Sequence, residues 1–498
     1  MNRVSIILTG NIFIKNGGLT KAIFARANAF AEESVKVILA TFQYHQNFNE
    51  LVNYHKENNN LHKDVEVINI YDYNFGENYN KLDVLKQPFE ILEKNIRDKT
   101  DNLIRYPDKK NANGYRCFKQ GKYCSYELYE NNILKTIDVF QEPWTRTKKL
   151  FLDTTGRINR ENLMDTSTNK PRVICYYNDG LPTITSNVDS KGNENNFFIH
   201  TANQEINGKA NLLKFWLQSI IDNFEKVTVF CDKRELVGIF TSLKHTDIKR
   251  IFVQHNTHLG FPYDNPTIIE PTMKNFIDNS HLFSKIIVLT QEQKKDLSFI
   301  ESIDNNKVMV IPHYQNKIDF RGERKKYTAV SIARYHSQKN LEDAIKVFSE
   351  VVKTIPKAKY EIYGYGPDEN KLKEFIERLN LKNNVFLKGF TTNPIEKLAE
   401  ATLSIMTSRY EGFGMVITES LACGTPVVSY NTKYGPSEII RDGIDGFVVQ
   451  KGNIIKMAEC IIEIMNNDEK FNMMSENAEE VSKRFSRDTI FKLWKEQI

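Results

Sequence analysis

The sequence predicts an α/β protein: two Rossmann-like, doubly wound domains facing each other across a cleft, with an antiparallel β-rich domain inserted into the first. Three observations lead there. Apolar strand-like runs alternate with helical periodicity at the start of the chain and again from about Lys209, the rhythm of buried parallel strands. Between about Lys63 and Phe198 that rhythm gives way to short strand-like runs and hairpin-like turns. A polar, basic stretch from His313 to Lys326 then separates two βα series. With 498 residues, 40% hydrophobic and 26% charged, the chain can bury more than one core. The expected domains are 1–62 with 199–312, the insertion 63–198, and 313–485, with a last helix at about 486–498 packing back on the first domain.

In order, strand Val4–Leu8 leads into the glycine loop Asn16-Gly17-Gly18-Leu19-Thr20, then helix Lys21–Glu32 and strand Val35–Thr41. The loop lacks Gly-x-Gly-x-x-Gly, which argues against a dehydrogenase-type dinucleotide site. Taken alone it reads equally as a tight strand-to-helix turn. In the insertion a helix is expected over about Leu82–Lys99. Strands follow over Leu103–Tyr106, Tyr115–Lys119, Tyr123–Tyr129, Ile133–Phe140, Lys149–Leu152, Val173–Tyr177 and Thr183–Asn187. Between Arg105 and Leu150 ten basic residues stand against five acids, a local net charge of +5 that equals the +5 of the whole chain. Tyr106, Tyr115, Phe118, Tyr123, Tyr126, Tyr129 and Trp144 are interleaved with them. Such interleaving can bind RNA, but no RRM, KH or OB signature accompanies it, so no nucleic-acid partner is expected. The remaining readings are a solvated basic face or a surface for a polyanionic acceptor, with Arg116, Lys119 and Lys122 as examples. Exposed sheet edges there are also candidate homo-oligomer contacts.

After Lys209, helix Ala210–Asn223, strand Val227–Cys231, helix Lys233–Leu243 and strand Ile251–Gln254 complete most of the first domain, and the last of these runs into His255-Asn256-Thr257-His258. Ligands in doubly wound sheets lie beyond the carboxyl ends of the strands, which is where His255 and His258 stand. The second series opens with strand Ala329–Ile332 and the loop Ala333–Asn340, in which Arg334 and Lys339 are five apart and could converge on one diphosphate. Gly364-Tyr365-Gly366 and Lys388-Gly389-Phe390 follow later strands; either reads as a ligand-holding segment or an ordinary turn. The segment Thr407–Pro426 combines a strand exit, a loop with Gly412 and Gly414 bracketing Phe413, and a helix starting at Met415. Helix N-termini attract phosphate and polarised hydroxyls. Glu411 and Glu419 flank the turn at a spacing that can set both beside one ligand, although each alone also reads as an ordinary helix charge.

The six cysteines form no Cys-x-x-Cys pair and read as free thiols in a reducing cytoplasm. The apolar run Val4–Gly10 is too short for a signal peptide. No stretch reaches the ~20 apolar residues of a membrane span, so any membrane contact is expected to be peripheral and the location cytoplasmic. No Asp-x-Asp pair is found for Mg²⁺.

The pattern Glu411, seven residues, Glu419, with Gly-Phe-Gly after the first carboxylate and Gly-Thr-Pro-Val-Val after the second, resembles the signature of retaining, family 4-like glycosyltransferases. That resemblance implies the GT-B fold. It also implies that Glu411 contacts the transferred sugar, Glu419 holds the ribose, Arg334 and Lys339 bind the donor diphosphate without a metal cofactor, and His255, or else His258, stands near the reacting sugar. Gly17 and Gly18 would face the acceptor across the cleft from the donor; with Gly364, Gly389, Phe413, Gly414 and Met415 they are counted in the donor set. Gly17-Gly18-Leu19-Thr20, the insertion, Glu361–Gly366 and Tyr434-Gly435-Pro436-Ser437 are similar to the TarM/TagE branch. This implies transfer of α-linked glucose or N-acetylglucosamine from a UDP-sugar to wall teichoic acid. A sister branch with a His-x-x-His loop modifies serine-rich or Ser-Asp-repeat proteins, which leaves the acceptor open. A third reading, an inactive GT-B partner protein, is disfavoured because the charged donor residues are all present.

Overall fold

The computed structural model describes residues 3–14, 17–73, 75, 103–141, 144–320 and 322–498. It contains three sheets. One is parallel and seven-stranded, in the order Val308–Val310, Lys285–Val288, Ile248–Val253, Lys226–Cys231, Arg3–Thr9, Val37–Thr41, Val65–Asn69. One is parallel and six-stranded, in the order Val385–Gly389, Lys359–Tyr363, Lys325–Ile332, Ala401–Met406, Val427–Asn431, Gly446–Gln450. The third is a ten-stranded antiparallel meander from Ile104–Pro107 to Gln204–Ile206. The chain divides into two compact units, Met1–Cys231 with Glu235–Lys249, and Asp232–Arg234 with Arg250–Ile498.

In the first unit, strands such as Arg3–Thr9 and Val37–Thr41 are mostly apolar and buried on nearly every residue, as strands covered on both faces are. Two boundaries move from those expected. Val65–Asn69 pairs in parallel with Val37–Thr41, so the parallel domain runs past residue 62, and the meander continues to Ile206 rather than ending at 198. Strands Ile158–Met164, Glu194–Ile199 and Gln204–Ile206 belong to it and were not expected. The helix expected over Leu82–Lys99 lies outside the described residues. The meander is tied to the edge of the parallel sheet by polar bonds. Gln46 Nε2 donates to the Lys135 and Leu152 carbonyls at 2.8 and 2.6 Å, and Thr183 Oγ1 donates to the Tyr71 carbonyl at 2.9 Å. The Tyr71 and Tyr176 rings lie 4.0 Å apart between them.

In the second unit, helix Leu341–Thr354 buries Ala344, Ile345, Val347, Phe348 and Val351, the i, i+3, i+4 stripe of a helix lying on a sheet. Helix Ile454–Asn466 adds Ile461 and Ile464 to the same core. The six-stranded order reverses direction between Lys325–Ile332 and Ala401–Met406. That makes the loops after these two strands the walls of the crevice in which doubly wound sheets hold their ligands.

Candidate active site

Those two loops are Ala333–Asn340 and Thr407–Gly414. The first is held from below. Ala333 N–H donates to the Tyr363 carbonyl at 2.9 Å, and the fully buried Tyr335 donates its hydroxyl to the Ile362 carbonyl at 2.8 Å while accepting from Gly389 N–H at 3.3 Å. Gly364 lies so close that a Cβ there would fall 1.9 Å from the Ala333 oxygen. The expected donor glycines 364 and 389 therefore shape the cation loop from the neighbouring strands. A single turn of 3₁₀ helix, Ser337–Lys339, then aims Lys339 back over the sheet.

Lys339 Nζ meets Glu411 Oε1 at 2.5 Å, and Ser408 Oγ donates to the same oxygen at 2.6 Å. The lysine side chain is 19% exposed and the carboxylate 9%. In so dry a setting the attraction between the two charges is stronger than on the surface, offset by the cost of taking both out of water. Around it Thr407 Oγ1 donates to the Lys339 and Asn340 carbonyls at 3.2 and 3.0 Å, and Glu411 N–H donates to the Lys433 carbonyl at 2.8 Å. Lys339, Ser331, Ala333, Thr407, Ser408 and Ile417 line one hollow. Arg334, next to Ala333 of that lining, is itself exposed and does not line the hollow; its Nη2 donates to Gln338 Oε1 at 3.2 Å. Gly414 has φ 91° and caps helix Met415–Ala422, whose first residue, Met415, is half-buried. Glu419 is also half-buried, one turn on along that helix.

The two histidines separate. His255 Nε2 lies 2.5 Å from Asp232 Oδ1; the carboxylate is fully buried and the imidazole 13% exposed. Its ring stacks on His313 at 5.5 Å, and the His313 ring meets Phe413 edge-on at 5.4 Å. Its carbonyl abuts Gly412, where a Cβ would come within 1.9 Å of the oxygen. Gly412 thus lets the His255 loop and the Glu411 loop touch through backbone. His258 is fully buried, stacks on Tyr434 at 5.9 Å, and has no hydrogen-bond partner on either ring nitrogen among the described residues. Burial pushes its pKa down to about 4, so it is a neutral packing group. Phe413 is likewise interior, 3% exposed and packed on Phe485.

Gly17, Gly18 and the insertion's Arg116, Lys119 and Lys122 lie in the first unit. Arg116 Nε donates to Asp108 Oδ2 at 2.8 Å. Asp232, Ser408 and His313 were not singled out from sequence. Asp232 had a findable signal, since it directly follows strand Lys226–Cys231 at its carboxyl end. A further tie joins the turn at Tyr434: Lys433 Nζ and Tyr434 Oη reach Asp296 Oδ2 at 2.5 and 2.8 Å. The Glu438 carboxylate accepts from Gln291 and Glu292 N–H at 3.0 and 2.8 Å, capping helix Gln291–Leu297.

Residues 315–481 match the family described as glycosyl transferases group 1. Along nearly its whole length the chain is similar to two curated proteins. One is the poly(ribitol-phosphate) alpha-N-acetylglucosaminyltransferase of Staphylococcus aureus, 26% identical over 97% of this chain and 96% of that one. The other is the poly(glycerol-phosphate) alpha-glucosyltransferase of Bacillus subtilis, 29% identical over 98% and 73%. The crystal structure of TarM superposes with a TM-score of 0.87 at 24% identity, covering 100% of this chain and 98% of that one. The fold is therefore GT-B with an antiparallel insertion. The pneumococcal O-GlcNAc transferase GtfA, solved with UDP and GlcNAc, follows at 0.68 and 16%, with 99% and 98% covered.

Proposed function

We propose that this protein is a retaining glycosyltransferase that moves N-acetylglucosamine or glucose from a UDP-sugar to hydroxyls of a polyol-phosphate polymer of the wall teichoic acid type. The observation that carries this is the convergence of Lys339, Ser408 and Glu411 at the switch point of the six-stranded sheet, with Arg334 exposed in the same loop as Lys339. Breaking the sugar–diphosphate bond develops negative charge on the β-phosphate oxygen, and a fixed ammonium with a guanidinium beside it stabilises that charge. No divalent ion is required in this reading, so chelators should leave turnover unchanged. Without donor, Lys339 and Glu411 hold each other. A bound sugar nucleotide divides them, the phosphates taking the ammonium and the sugar hydroxyls the carboxylate.

His255, fixed by Asp232, stands beside the same loop through Gly412 and is assigned to the reacting sugar; His258 is not. The acceptor oxygen attacks the anomeric carbon on the face the diphosphate leaves. The C–O bond to UDP breaks as the new glycosidic bond forms, and the acceptor proton goes to the departing phosphate oxygen. The polymer acceptor is favoured over a serine-rich protein because likeness to the two polyol-phosphate enzymes runs the length of the chain. The GtfA subunit of Streptococcus agalactiae aligns over only 34% of it.

A nucleotide-sugar donor places the reaction in the cytoplasm; among the described residues no helix is long and apolar enough to cross a membrane, and contact with the membrane face where such polymers are built would be peripheral. The outermost meander strand, Ile104–Pro107, is exposed at every residue and, among the described residues, is an open edge suited to self-association. The deciding experiment offers labelled UDP-N-acetylglucosamine and UDP-glucose with ribitol-phosphate polymer, glycerol-phosphate polymer and a serine-rich peptide. Label in a polymer, with the α-anomer in the product, is expected. Label only in the peptide would replace the acceptor, and no transfer from either donor would end the reading.

A further inference from the structure

Strand Lys226–Cys231 lies next to Arg3–Thr9 where the seven-stranded order reverses, so the residues just beyond it stand at that sheet's own ligand crevice. The second of the group Asp232–Arg234 to carry an unusual setting, after the Asp232 carboxylate on His255, is Arg234. Its Nη1 donates to Thr272 Oγ1 at 2.9 Å and its Nη2 to the Thr257 carbonyl at 3.3 Å. Both acceptors are neutral, and among the described residues it has no carboxylate partner.

Two other arginines of the same unit, Arg324 and Arg441, are more fully engaged. Arg324 donates to the Ala401, Cys423 and Gly424 carbonyls at 2.7, 2.8 and 2.7 Å, and Arg441 Nε is paired with Asp445 at 2.7 Å. Arg234 instead keeps the rest of its five N–H donors in a half-buried position, its plane fixed at two corners. The charges of Glu270, Arg334 and Arg234 all act on the Tyr410 hydroxyl. Tyr410 directly precedes Glu411, and its ring packs on Tyr263 at 4.3 Å.

We propose that Arg234 is an acceptor-phosphate site: it binds, in its guanidinium fork, the phosphodiester next to the hydroxyl being glycosylated. The inference rests on the proposed transferase reading and deepens it. The donor diphosphate already has Arg334 and Lys339, which come from the six-stranded sheet. Arg234 comes from the other sheet's switch point, beside the loop of His255. A polyol-phosphate acceptor carries a phosphodiester within one repeat of every hydroxyl, so a hydroxyl placed for attack brings such an anion with it. A planar fork held by two neutral oxygens matches that anion without first breaking an ion pair.

The test is steady-state transfer to glycerol-phosphate oligomer by the full chain. Arg234→Gln is expected to raise KM for the oligomer about 10- to 100-fold, with KM for the UDP-sugar held within about twofold. Arg234→Lys, which keeps the charge but loses the fork, should raise the oligomer KM by a smaller factor, and it serves as the measured variant if Arg234→Gln does not fold. An unchanged oligomer KM in the folded variant overturns the proposal. A UDP-sugar KM that rises in step with it also does, by assigning Arg234 to the donor. If wild-type protein transfers to no polyol-phosphate polymer, it is the transferase reading that has failed, and this site falls with it.

Discussion

The antiparallel meander and the loops around Glu411 are both rich in cations, and they use them in opposite ways. In the meander, several arginines and lysines are paired within the sheet. Arg105 is bound to Glu127 at 2.8 Å, Arg146 to Asp138 at 3.0 Å and Lys148 to Glu161 at 2.7 Å. Around Glu411 the pattern changes. Among the described residues Arg334 and Arg234 have only neutral oxygen partners, and a tight pair, Lys339 with Glu411, joins two groups that both suit a sugar nucleotide. A sequence count of charges ranks the meander first. A cation already paired must lose its carboxylate before it gains a phosphate, so Arg105, Arg116 and Arg146 of the meander are poorer anion sites than Arg234 and Arg334 of the loops.

The largest effect that would test this contrast is at Lys339. Lys339→Ala removes the ammonium facing the leaving diphosphate, and kcat is expected to fall by about a thousandfold, the scale for deleting one preorganised charge stabiliser. Glu411→Ala should be comparably inactive. In both, circular dichroism should remain that of wild type. Activity within tenfold of wild type in either would mean that the pair is an ordinary interior ion pair.

A dry interior beneath these loops predicts an acid sensitivity. His258 is neutral when folded, with its pKa near 4, against about 6.5 in an unfolded chain. The unfolded state therefore binds one more proton between those values. Stability conferred by the neutral ring is complete above about pH 6.5, declines as pH falls, and is lost by about 3 kcal/mol below pH 4. Urea midpoints of wild type and His258→Phe, compared from pH 7.5 to 4, should converge or cross as pH falls. Parallel curves would mean that the ring is solvated or paired.

Next in size is Asp232, which acts through His255 and is a positioning residue. Asp232→Asn is expected to lower kcat about 10- to 100-fold with KM for both substrates unchanged, and to add almost nothing in a His255→Ala background. A purely structural role would instead add its full cost to the His255 variant.

Both βα series could be read from the sequence because a buried parallel strand carries few charges and little alternation, as in Ala401–Met406, which is buried at every residue; the direct pairing of Lys339 with Glu411 was not expected, although both stand after the two central strands. Less came through where the signal was mixed. Ile158–Met164 reads INRENLM, too polar to announce a strand, although its partners on both sides supply the pairing. His255 and His258 share one short loop, and only the structure shows that one meets a carboxylate while the other meets none. Asp232 is a single acid after a strand, unremarkable until His255 is brought to it from 23 residues away.

The smallest expected effect lies in the meander. Arg116 was an expected acceptor contact, yet its Nε is bound to Asp108 at 2.8 Å, the guanidinium end exposed and the carboxylate largely covered, and the bond holds the arginine pKa up and the aspartate pKa down. A pair exposed at its cation gains little from its partner and is screened by salt. Its guanidinium is also already occupied. Arg116→Ala should therefore change KM for glycerol-phosphate oligomer by less than about twofold and leave the melting temperature where it was. A rise like that expected for Arg234→Gln would show that paired surface cations do recruit the polymer, and would move acceptor recognition back to the meander.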